Sequence, residues 1–137
     1  MTQPRDVLYA SKLFQEWLTA LKERALLATH NQCQAMFHGV LLCMRGHMTT
    51  EQVLAFADAL PPLPRWIFFE RWRPAEPTAV TSAEHFLHEV VAALALHHIP
   101  PDTIVSDVFA VLAERSEPLA AKTMRAQLPA PLRPLWP

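Results

Sequence analysis

Glycine is almost missing from this chain: its 137 residues contain two, Gly39 and Gly46. So little glycine leaves no ready material for tight β-hairpin turns, for a glycine-rich phosphate loop, or for the glycine-flanked turn that exposes a catalytic serine. Ser11, Ser82, Ser106 and Ser116 therefore carry no nucleophile signature, the carboxylates are scattered, and no enzymatic activity is expected. Cysteine is as rare. Cys33 and Cys43 lie ten residues apart in one apolar helical pattern, a spacing that matches no metal or redox motif and makes them small core hydrophobes. No apolar run approaches the ~20 residues of a membrane span. The first residues, Met1 to Asp6, lack the basic-then-apolar order of a secretory signal, so a cytoplasmic protein without a membrane partner is expected. Neither sign of charge dominates. Residues 1–75 carry eight Lys/Arg and six Asp/Glu, residues 76–137 four and seven, and the +2 and −3 sum to −1, too weak a field to hold nucleic acid by itself.

Proline is what the chain has in excess. Of its thirteen prolines, most cluster at 61–64, 74–77, 100–101 and 129–137, and the stretches between clusters show apolar residues three and four apart. The reading is all-α, a single domain over 1–137. A helix over about 7–27 turns Val7, Ala10, Phe14, Trp17, Leu18 and Leu21 to one side. A second, starting near Asn31, turns Met36, Phe37, Val40, Cys43 and Met44 inward and stops at Gly46, which takes the left-handed conformation at little cost. A third opens on a Thr49/Gln52 capping box and buries Val53, Phe56 and Leu60. A short fourth spans about 63–72. Beyond a linker at 73–80, a fifth opens on a box at Thr81 and Glu84 and turns Phe86, Val90, Leu94 and His97 inward. A sixth starts at Pro100-Pro101-Asp102, and a seventh is capped by Ser116 and ends at Leu128.

The second half replays the first. Leu60-Pro61-Pro62-Leu63-Pro64-Arg65 returns sixty-eight positions later as Leu128-Pro129-Ala130-Pro131-Leu132-Arg133. The same shift pairs Met36, Phe37, Val40, Cys43 and Met44 with Ile104, Val105, Val108, Val111 and Leu112, and needs no gap. Two tandem three-helix repeats are expected, about 7–72 and 81–137. Each closes on a Leu-Pro turn with a short aromatic helix or tail, and the two pack as one compact bundle.

These blocks, Ala59 to Arg65 with Phe69 to Trp72, and Met124 to Pro129 with Leu132, Arg133, Leu135 and Trp136, resemble the bacterial family catalogued as domain of unknown function 2267. The similarity runs from about Val7 onward. It implies the fold and a cytoplasmic location, and it brings no catalytic residue with it.

Three surfaces could carry a function. Arg65, Trp66, Phe69, Arg71 and Trp72 interleave the residue types that anchor protein interfaces, so a protein partner or a second copy of the chain is the leading expectation. His85 and His88, three apart on one helix, offer two metal ligands where a site needs at least three. A metal- or ligand-binding role for the histidines is thus an alternative, while neither metal nor cofactor is expected. Third, the aromatic and arginine residues at 65–73 could stack unpaired bases of single-stranded nucleic acid, with no continuation of the groove in the acidic half.

Overall fold

A computed structural model describes residues 5–94 and 98–137, and among them every regular element is a helix. Helix α1, Arg5–Ala25, buries Phe14, Trp17, Leu18, Leu21 and Ala25 as a single stripe. Its first turns overhang the core. Val7 and Ala10 keep the helical period, yet Val7 is exposed and Ala10 only half-buried, because among the described residues no element closes over that end. Helix α2, His30–Arg45, begins at a complete capping box in which the Thr29 hydroxyl accepts from the Gln32 amide and the Gln32 side chain answers the Thr29 amide. The same reciprocal pair, Thr49 and Gln52, opens α3, Thr50–Ala59. Leu60-Pro61 then turns the chain into α4, Pro62–Phe69, with proline in its first turn, where a missing N–H costs nothing.

In the second half, α5 is Ala83–Ala93 and its cap falls one residue later than expected. Ser82 accepts from the His85 amide, so Thr81 is outside the helix. Helix α6, Ile104–Arg115, starts after the proline pair, since Thr103 precedes its first turn. Helix α7, Pro118–Gln127, is led by Pro118 in its first turn, and Ser116 ends α6 instead of capping α7. A 310 helix, Ala130–Leu135, follows and sets Trp136 against Phe109, ring centroids 5.6 Å apart. Expected residue His97 lies outside the described residues.

The order of elements is alike in the two halves: three helices, then a short proline-led one. Helix α3 lies on α7, α1 on α6, and α2 on α5. Helix α6 packs against α1, α2 and α7, with Ile104, Val105, Val108, Phe109, Ala110, Val111 and Leu112 all buried, and its polar end, Glu114 and Arg115, exposed. Phe37 reaches the same interior from α2, edge-on to Phe14 and Trp17. Gly39 lets α5 come close, because a β-carbon there would meet Leu94 Cδ2 at 3.0 Å. Gly46 does not take the left-handed conformation; its φ is −66°. The left-handed positions fall instead on Leu26 (φ 56°) and Arg71 (φ 55°), where side chains make that conformation costly. No helix of the described residues is long and apolar enough to cross a membrane.

Candidate functional site

The five residues picked from the sequence divide into three roles. Arg65 is used by the fold itself. From the first turns of α4 its guanidinium reaches back to the end of α3, donating from Nε to the Ala57 carbonyl (2.9 Å) and from one terminal nitrogen to those of Leu60 (2.8 Å) and Asp58 (3.3 Å). Ala57 and Asp58 lie in the last turn of α3 and Leu60 caps it, and prolines at 61, 62 and 64 deny their carbonyls the amide four residues on, so Arg65 acts as a C-terminal cap.

Trp66, the next residue, is 66% exposed. It sits one turn after Pro62 on the side of α4 away from buried Pro64, Ile67 and Phe68. Pro62 and Leu63 form, with Val7 and Ala10 of α1, the walls of an apolar groove of about 440 Å³.

Phe69 and Trp72 pack on each other and on the edge of the core, their ring centroids 5.7 Å apart. Trp72 and Arg71 line a different cavity, of about 310 Å³, together with Arg45, Arg73, Leu42 and Met48. Arg45 comes from the last turn of α2 and donates to the Phe68 carbonyl at 2.8 Å. Burial lowers the pKa of its guanidinium, and the charge of Glu70 opposes that shift. Among the described residues the ion pairs are Arg24–Glu114 and His47–Glu89, so Arg45, Arg71 and Arg73 have no carboxylate in contact.

The linker is fastened beside this cavity by a contact that sequence reasoning missed. His47, in the turn between α2 and α3, meets the Thr78 carbonyl (2.8 Å) and hydroxyl (2.9 Å) through Nδ1, and Glu89 of α5 through Nε2 (2.6 Å). The Thr78 amide donates to the Gly46 carbonyl at 3.1 Å, and Phe86 stands edge-on to the imidazole. One histidine, half-buried as a residue with its side chain enclosed, thus ties three segments together. Its sequence signal was too weak to find, being a lone histidine in a turn.

The other histidines are dispersed. His85 and His88 are exposed on α5, His30 bonds Thr19 and Gln15 of α1, and His38 is half-buried with Nε2 unpartnered. Among the described residues no group of three or more His, Cys, Asp or Glu side chains could hold a metal ion. Cys33 is buried, Cys43 is half-buried, and both are free thiols.

Fold and surface together define an all-α bundle domain with a solvent-facing tryptophan and an arginine-lined cavity on either side of one short helix's packing face. The chain belongs to the family described as uncharacterized conserved protein (DUF2267), whose profile matches residues 14–135. That span contains both Leu-Pro turns, at Leu60-Pro61 and Leu128-Pro129. A search of curated proteins found no match.

Proposed function

We propose that the protein is a non-enzymatic, cytoplasmic helical module that binds a protein surface through the outer face of α4, and that the surface it binds is a second copy of itself. The observation that carries this reading is Trp66. A tryptophan held two-thirds exposed on a rigid helix adds nothing to the core, and tryptophan is among the residues most enriched as interface anchors. The occupant follows from the neighbouring groove. A knob (Trp66) and an apolar slot (Val7, Ala10, Pro62, Leu63) on one face are self-complementary, as a two-fold dimer requires, where the same patch serves both subunits.

Sedimentation velocity over a range of protein concentrations tests it. Wild type should form dimers as concentration rises, and Trp66→Ala should stay monomeric with an unchanged helical circular dichroism spectrum. A wild type that stays monomeric throughout, or a variant that dimerises equally, refutes self-association through this face.

A further inference from the structure

We propose that the cavity between the end of α2 and the segment after α4 binds a small phosphate monoester with a planar body, its phosphate held by Arg45, Arg71 and Arg73 and its ring laid against Trp72. This site shares no lining residue with the groove beside Trp66, so it stands whether or not the chain dimerises.

Charge is the first argument. Three guanidiniums line the cavity and one carboxylate, Glu76, does so with them, which leaves a formal +2 from three positive and one negative. Among the described residues none of the three arginines makes an ion pair. Arg45 is drawn partly out of water with only the charge of Glu70, which makes no contact ion pair with it, to offset the cost, as its lowered pKa reflects, and an arriving anion reduces that cost. A phosphate monoester near neutral pH carries about −1.5 to −2, which matches the excess. Guanidinium forks fit phosphate oxygens in pairs, a geometry that lysine lacks. Thr50, in the first turn of α3, also borders the cavity and adds the favourable end of a helix dipole.

Backbone conformation is the second argument. Arg71 holds φ at 55°, which a side-chain-bearing residue adopts at a cost, and such outliers gather where function fixes the backbone. A glycine would suit the turn better, but would remove a guanidinium from the cavity wall. Shape is the third. Trp72 is half-buried and anchored by Phe69, and Leu42 and Met48 complete an apolar side against which a flat ring can stack. A cavity of about 310 Å³ suits a small molecule.

The test is calorimetric titration of the full chain at low ionic strength with adenosine monophosphate, inorganic phosphate and adenosine. Adenosine monophosphate should bind, inorganic phosphate should bind more weakly, and adenosine should give no heat. Arg71→Gly should weaken adenosine monophosphate by about tenfold or more, the loss of one charged hydrogen-bonding group, while its urea midpoint stays at or above wild type because the backbone strain is relieved. Arg73→Gln should weaken binding in the same direction. No heat from either phosphate compound overturns the site. Adenosine binding as tightly as its monophosphate overturns the phosphate's role, and inorganic phosphate binding equally well overturns the planar body. An Arg71→Gly chain that binds like wild type places the ligand elsewhere and overturns the proposal.

Discussion

Replacing Arg65 by alanine should destabilise the fold and leave any partner contact untouched, the reverse of what its place in an exposed-looking aromatic stretch suggests. Three carbonyls at the end of α3 receive its guanidinium, at 2.9, 2.8 and 3.3 Å. The long contact to Asp58 is exposed and contributes little. The Ala57 carbonyl keeps a second donor, the Leu60 amide at 3.0 Å, so its loss is partial. The Leu60 carbonyl loses a short, partly buried, charge-assisted bond. With about 1.5 kcal/mol for that bond and a fraction of it for Ala57, the variant should lose about 2 kcal/mol. Arg65→Lys keeps the charge at the helix end but not the fork, and should lose about 1 kcal/mol. Urea denaturation followed by circular dichroism measures both, and the slope against denaturant should stay constant. Trp66→Ala, truncating an exposed side chain, serves as the control and should stay within about 0.5 kcal/mol of wild type. An Arg65→Ala chain as stable as that control would show the guanidinium to be free in solution, and the cap to be wrong.

Three other outcomes are expected. Phe37→Ala removes a buried ring that touches Phe14 and Trp17 and should lose about 3–5 kcal/mol in the same assay. Val105→Ala removes two methyl groups and should lose about 2 kcal/mol; equal losses would contradict the packing. Burial and the charge of Glu89 push the Cys43 thiol up to about 11, so a thiol reagent near pH 8 should label it slowly in the folded chain and fast in urea; fast labelling of the native protein would show that α2 and α5 open there. Burial holds the His38 imidazole below its ordinary 6.5, with Glu70 opposing. The unfolded chain then takes up the proton first, so stability falls as pH drops through 6.5 and goes on falling until His38 itself is protonated. His38→Leu should flatten that part of the pH profile, and parallel profiles would refute the assignment.

Where the sequence could be read, the reason is that the signal was local. The Thr49/Gln52 box and the Leu60-Pro61 stop are complete within a few residues, and α3 begins and ends where they say. Met36, Phe37, Val40 and Met44 in α2, and their counterparts in α6, keep a period that a buried face enforces. Errors arose where two local signals competed. Ser82 and Thr81 can both cap a helix, and Pro118 overrides Ser116 because a proline in the first turn needs no capped amide at its own position. Val7 failed for another reason: periodicity tells which way a residue faces, not whether a neighbour is there to cover it.

The site was less legible, since its parts come from distant positions. Arg65 and Trp66 are adjacent in the chain, yet one is consumed by the end of α3 and the other faces solvent. No local pattern separates them. Arg71 and Trp72 were visible as a basic aromatic stretch, but Arg45 reaches their cavity from twenty-six residues upstream, and the linker is brought alongside by His47 and Thr78. Only the packing of α2 against α4 makes these one surface.

The central claim is that the outer face of α4 meets a second copy of the chain, and cross-linking from that face tests it most directly. A photoreactive phenylalanine analogue at position 66, in an equal mixture of isotopically light and heavy chains, should give mixed-isotope cross-links to residues 7–11 and 62–63 of the other copy. Cross-links confined to one chain, or joining copies only through other surfaces, would contradict the account.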